Sequence, residues 1–225
     1  MKKLFKSFII GAAALLCLSY GQESFAVEIT GGIRGAFTMN LGTKLTDEEG
    51  DPDYKTVVGG GAALYVNFGI AQLGSGMFGI QPEVGLYFNN GVEVESKTFG
   101  VKGTTTANSV DIPVLFTYSM PISSIKLGLG FGPYISIPYG IEDEIEVIGV
   151  GKTKQKYDSI SAPFGLAFDV NCGFNVGPGA LVVDVRYLLD LGKTRGEYTE
   201  LGTTYKDSLY KRGALAIGLG YEMKF

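Results

Sequence analysis

From Val27 to the C-terminus, hydrophobic residues recur at every second position and not at the three-to-four spacing of a helix. The final stretch is the clearest. Leu215, Ile217, Leu219, Tyr221, Met223 and Phe225 form one set, and Ala214, Ala216, Gly218, Gly220, Glu222 and Lys224 the other. The same division runs through 110–119, 125–137, 164–175 and 181–191, and more loosely through 27–40, 57–70 and 78–90. Each stretch is predicted to be a strand, which makes eight.

The predicted connections alternate in length. They are short at 71–77, 121–124 and 177–180, and long at 41–56, 91–107, 139–159 and 193–210. An even number of antiparallel strands, with tight turns at one end and long polar loops at the other, predicts an all-β fold: an eight-stranded antiparallel up-and-down transmembrane β-barrel over residues 27–225. Alternation alone does not say which face is inside, because soluble lipocalin-like barrels also have eight strands. The small set decides. It is mostly Gly, Ala, Ser, Thr and Asn with isolated charges, whereas a water-facing surface is typically about a quarter to a third charged. Small residues suit a narrow lumen and the continuous Leu, Ile, Val, Phe and Tyr set suits lipid, where only a closed sheet survives.

Composition adds a compartment. Lys2, Lys3 and Lys6 precede the apolar run Phe8–Leu18, and Ser24-Phe25-Ala26 is a small-x-small cleavage site, so residues 1–26 read as a secretory signal peptide. Cys17 follows Leu15 and Leu16 and lacks the small residue expected before a lipidation site. Removing 1–26 takes away three lysines and Glu23 and moves the formal charge from −4 to −6. The expected location is the bacterial outer membrane.

The chain has no histidine and two cysteines. Histidine-based acid–base catalysis, the usual triads, and His- or Cys-rich metal sites are therefore not expected, and neither is a cofactor. Asp111, Asp169 and Asp184 lack a base or nucleophile to work with, so no enzymatic activity is expected. The negative charge, without any basic, aromatic-interleaved stretch, argues against nucleic acid.

The lumen set carries Arg34, Glu83, Asp111, Lys126, Asp169, Asp184, Arg186 and Asp190. Buried charges must pair or find water, which leaves two readings: a plug of ion pairs, or a cation-preferring thread of water lined by acids. Asp47-Glu-Glu-Gly-Asp-Pro-Asp53 gathers carboxylates without the spacing of a calcium loop and reads as a solvated tip. Glu142-Asp-Glu-Ile-Glu146, followed by Lys152, Lys154 and Lys156, reads as a surface hairpin held by cross-strand charges.

Several stretches resemble outer-membrane β-barrel domain proteins of the PorT-like type, a family of small eight-stranded outer-membrane proteins. They are Asp111-Ile-Pro-Val-Leu-Phe-Thr-Tyr118, Gly132-Pro-Tyr-Ile-Ser136, Phe164-Gly-Leu-Ala-Phe-Asp169, Asp184-Val-Arg-Tyr187 and Ala216–Phe225. After Tyr187 the chain reads Leu-Leu-Asp-Leu-Gly, where that family more often has Gly-Leu-x-Asn. The ending with Tyr221, Met223 and Phe225 resembles the terminal signal read by the outer-membrane assembly machinery. The expected partners are outer-membrane lipid, that machinery, and an extracellular ligand or protein met by the loops; a monomer is expected. The functional reading is a structural or surface-interaction role through the loops with a plugged lumen. The alternative is a narrow pore passing small solutes or hydrophobic molecules.

Overall fold

Each alternating stretch is a strand in the computed structural model, which describes residues 28–41, 53–89, 91–96, 101–147, 149, 151–157, 159–192, 194–200, 203–210 and 212–225. Among these, eight strands build the wall: β1 (Glu28–Asn40), β2 (Val57–Leu73), β3 (Gly76–Phe88), β4 (Val101–Ile122), β5 (Ile125–Val147), β6 (Phe164–Val176), β7 (Gly179–Asp190) and β8 (Gly213–Lys224). Every strand pairs antiparallel with its neighbours in sequence, and β1 pairs with β8 from Thr30↔Lys224 to Asn40↔Ala214. The sheet thus closes on itself and leaves no edge in hydrocarbon.

The faces divide as the alternation predicts. On β8, Ile217 and Leu219 point out while Ala214, Ala216, Gly218 and Gly220 are buried. On β6, Phe168 and Val170 point out while Ala167 and Asp169 are buried. At the tight ends the chain reverses over residues 74–75, 123–124 and 177–178. Gly74 and Gly177 take φ of 63° and 60° there, a conformation in which a Cβ is penalised, and Ser123 takes it at 56°.

Two of the expected long loops are partly strand. β4 begins at Val101 and β5 continues to Val147, inside the stretches 91–107 and 139–159. The pairs Val101↔Val147, Lys102↔Glu146 and Thr104↔Glu144 carry the ladder on, because β-branched and opposite-charge partners hold a sheet without lipid. Short strands Asp53–Lys55 and Val92–Ser96 join this extension on one side, and Gly151–Lys156 on the other. The expected loop 193–210 contains a hairpin, Thr194–Glu200 with Thr203–Tyr210.

A bulge separates wall from extension. Asn108 faces Gly140 and Ser109 faces Pro138, so Tyr139 has no partner on β4. Below it, Tyr134 and Ser136 point inward. Above it, Ile141 takes the inward face and packs with Val92 and Ala107, with Tyr157 and Ile160 against them. One inserted residue thus reverses the parity of β5. It turns Glu142, Glu144 and Glu146 to the outside, where Lys152 and Lys154 meet them.

Candidate functional site

The lumen is the only place where the fold concentrates buried charge among the described residues, and it is filled in layers. The central layer is a five-membered ion cluster drawn from four strands. Arg34 (β1) lies between Glu83 (β3) and Asp184 (β7), with Nη2 donating to Glu83 and Nη1 to Asp184 Oδ2 at 3.2 Å. Arg186 (β7) donates from Nη1 to Glu83 Oε1 at 2.7 Å and from Nε to Asp169 (β6) Oδ1 at 3.0 Å. Arg34 Nη1 is also 3.8 Å from Asp169 Oδ1. All five are buried.

A second layer sits toward the long loops. The Tyr134 hydroxyl donates to Asp190, and the Ser136 hydroxyl donates to Asp111 Oδ1 at 2.6 Å. Arg212 joins them: its Nη1 is 2.8 Å from Asp111 Oδ2, its backbone N–H donates to Asp190 Oδ2 at 2.9 Å, and its guanidinium lies 5.2 Å from the Tyr134 ring centroid. Leu115, Ala167, Leu188 and Ala214 pack with Tyr134 as an apolar cluster inside the barrel, so part of the lumen is dry.

Tyrosines fill what side chains of the small set leave open. A Cβ on Gly165 would lie 2.5 Å from Tyr134 Cζ, and one on Gly61 2.5 Å from Tyr87 Cδ1. Only glycine lets these rings lie flat against the wall.

Toward the tight turns a partly open pocket of about 30 Å³ remains. Asp169 and Asp184 line it with Asn67, Gln81, Thr117 and Asn171. Asn67 Nδ2 donates to Thr117 Oγ1 at 2.9 Å and to Gln81 Oε1 at 3.2 Å, and Asn171 Nδ2 donates to Asp169 Oδ2 at 2.8 Å. Lys126 and Glu222 also line it, joined at 3.0 Å, and the Tyr65 hydroxyl donates to Glu222 Oε2 at 3.3 Å.

Of the eight lumen residues named from sequence, the structure brings Arg34, Glu83, Asp169, Asp184 and Arg186 into one cluster and Asp111 and Asp190 into another. Lys126 stands apart with Glu222, its side chain one-third exposed (33%). Sequence reasoning missed Arg212, which precedes β8 just past an expected loop, and Tyr87; Tyr134 already stood in the small set of 125–137 by its parity. Glu222 had the right parity and only needed a partner. Tyr221, Met223 and Phe225 sit at the tight-turn end of β8: the Tyr221 hydroxyl donates to Val176 O at 3.1 Å, and the Phe225 N–H donates to Ile29 O at 2.9 Å. Met223 and the Phe225 ring are exposed. Residues 1–26, and the side chains of the 47–53 acidic stretch, lie outside the described residues. Among the described residues no group of three or more acidic or sulfur side chains is arranged to hold a metal ion.

Outside the wall, Glu144 receives hydrogen bonds from Lys152 and Lys154, which hold its carboxyl below the ordinary range and both ammonium groups above theirs.

The family described as outer membrane protein beta-barrel domain matches residues 20–195. A major outer membrane protein from Thermus thermophilus has a similar structure at 12% identity, covering 88% of this chain and 99% of that one with a TM-score of 0.50. OprG from Pseudomonas aeruginosa is similar at 13% identity over 86% of this chain and 95% of that one, TM-score 0.48. Neisserial surface protein A is similar at 12% identity over 88% and 97%, TM-score 0.45. No curated protein matches the chain in sequence.

Proposed function

The chain belongs to the outer membrane protein beta-barrel domain family, and from that premise we propose that it is a surface protein that works through the sheet it raises above the bilayer, with its lumen closed. It sits in the lipid of the bacterial outer membrane. In this reading the tight turns and both ends of the barrel chain face the periplasm and the long connections face outward. Residues 1–26 act as the export signal, and Tyr221, Met223 and Phe225 are offered to the assembly machinery.

The observation that carries the closed lumen is the stack of two ion clusters with Leu115, Leu188 and Tyr134 packed inside the barrel. A permeating solute would have to break several buried ion pairs, each break leaving an unpaired charge at a cost of roughly 3–5 kcal/mol. Support for the surface role is the extension itself. It has its own apolar core of Val92, Ala107 and Ile141 and a charged outer face, features that a mere connection between wall strands does not need. The reading is non-catalytic: the chain has no histidine, and Asp169 and Asp184 are engaged by arginines.

Planar-bilayer recording tests the closed lumen. The expected trace is flat, and reproducible openings in the wild-type protein that change when Asp169 or Asp184 becomes Asn would replace the plug with a narrow pore. For the surface role, removal of residues 141–157 should abolish adhesion of protein-bearing vesicles to the cell or matrix surface to which the intact protein adheres. Undiminished adhesion would reject it.

A further inference from the structure

The sheet that stands above the bilayer does not close. Its strands run in the order 53–55, 92–96, 101–107, 141–147 and 151–156, and among the described residues no strand pairs with the far side of the first or the last. The two edges differ. Asp53–Lys55 is three residues long and follows Pro52. Gly151–Lys156 is six residues long and contains no proline. It is held to 142–147 in unbroken register from Glu142↔Lys156 to Val147↔Gly151. A straight edge of this length presents a row of backbone N–H and C=O groups, the template to which another strand adds.

The side chains beside the edge select the strand. On the outer face the sign of charge alternates from strand to strand. Lys55 meets Glu93 and Glu95, Lys102 meets Glu93 from the other side, and Lys152 and Lys154 meet Glu142, Glu144 and Glu146. The series stops on a positive column, whose Lys152 and Lys154 side chains are 55% and 58% exposed. Opposite charges across neighbouring strands stabilise a sheet and like charges destabilise it. The column that continues the series is therefore acidic. A second copy of the same edge would set lysine against lysine. Lysine on an edge works against indiscriminate pairing, and here it leaves one class of strand free to pair.

The inner face supplies the other half of the pattern. Ile141 is 4% exposed, packed under Tyr157 and Ile160, whereas Ile145, on the same side of the strand, is 49% exposed. Its ladder partner Thr153, on the edge strand, is exposed as well. An uncovered apolar position thus lies next to an uncovered edge.

We infer that the Gly151–Lys156 edge is a docking site for an extended acidic segment of a partner protein, which adds to the sheet as a further strand. Its carboxylates, at alternate positions, meet Lys152 and Lys154. Its intervening side chains are β-branched and lie on the opposite face, extending the surface of Thr153 and Ile145. The inference rests on the surface role proposed above and narrows the partner to a strand of this pattern.

The test uses the full chain in lipid nanodiscs and the fluorescence anisotropy of labelled synthetic peptides. The probe is a heptapeptide in which glutamate and valine alternate. Its controls are the isomer with the glutamates contiguous, a lysine–valine analogue, and two forms N-methylated on the glutamates or on the valines. Saturable binding of the probe is expected, at least about tenfold tighter than that of the contiguous isomer or the lysine analogue. One methylation pattern should abolish binding and the other should be tolerated, because only alternate N–H groups of an added strand face the sheet. Lys152→Gln with Lys154→Gln should weaken the probe about three- to tenfold, as two exposed ion pairs permit, with amide exchange over 142–146 showing that the hairpin is retained. The peptide controls need no variant to fold. Absence of probe binding to the wild-type chain overturns the inference. So does equal binding of the alternating and contiguous peptides, or tolerance of both methylation patterns, either of which would assign the contact to charge without a strand. Clustering of protein-bearing vesicles without peptide binding would give the edge to a second copy and reject it. Adhesion that depends on residues 141–157 while the probe fails to bind would keep the surface role and reject the strand partner alone.

Discussion

Arg186 and Glu83 meet at 2.7 Å across the interior of the barrel, from positions 103 residues apart in sequence. Both are almost completely buried, and Glu83 Oε1 also receives Arg34. The pair therefore ties β7 to β3 across the lumen, a link that the strand ladder itself cannot make.

Arg186→Ala should cost about 3–5 kcal/mol, because Glu83 and Asp169 remain buried with half their cationic partners gone. Urea unfolding of the barrel in lipid vesicles measures this. Arg186→Lys should recover only part of the loss: a single ammonium cannot reach both carboxylates as the Nη1 and Nε donors do. Full recovery by lysine would mean that charge alone, and not the fork, holds the cluster.

Glycines should differ by location. Gly165→Ala pushes a methyl to 2.5 Å from both Tyr134 Cζ and Leu189 O, which should cost about 1–3 kcal/mol. Gly35→Ala finds its nearest neighbour at 4.0 Å on the outward face and should stay within about 0.5 kcal/mol of wild type. Equal effects in the same urea experiment would contradict the ring-over-glycine packing.

Cys172 pairs with Leu127 and Val183, both of which point out of the barrel. In proteoliposomes a membrane-impermeant maleimide should leave it unmodified while a lipid-soluble maleimide reacts. Rapid labelling by the impermeant reagent would place this face in water.

The charged hairpin above the bulge should loosen on acidification. Lys152 and Lys154 depress the Glu144 carboxyl, so their contribution is complete above the carboxyl's unfolded value and disappears as pH falls through its lower, folded one. Amide exchange over residues 142–146 and 152–155 should therefore stay protected until the pH drops below the ordinary glutamate range, then accelerate. High salt should blunt the effect, since these groups are exposed. Exchange that is flat through this range would show that the ladder needs no ion pairs.

How far the chain could be read depended on whether a feature was periodic. The eight strands, the two faces and the inward charges were legible because parity assigns each wall residue to a face and the small, sparsely charged set marks which face is inside: Asp169 and Asp184 could be placed in the lumen without knowing a single contact. Arg212 could not, since it lies just ahead of β8 beside a stretch that looked like loop, and only the neighbouring Asp111 and Asp190 make it an interior residue. The extension of β4 and β5 was legible only in part: the charges of 142–146 and 152–156 read as a hairpin, and it is one, whereas its apolar core positions Val92, Ala107 and Ile141 stand singly among polar neighbours and show no period.

The amino-acid order, through its two-residue period, settled that this is a barrel and which residues line it, since alternation follows from the geometry of an extended chain and needs no long-range information. Closure brought what parity could not supply. The register between strands determined that Glu83 receives both Arg34 and Arg186, and that Asp184 is left with an oxygen that accepts no hydrogen bond. The unpaired Tyr139 decided that Glu142 and Glu144 turn outward although they share the even parity of the inward Tyr134 and Ser136. One extra residue in a strand reverses every side chain beyond it, and whether that residue is absorbed as a bulge depends on the partner strand, which the local sequence does not contain.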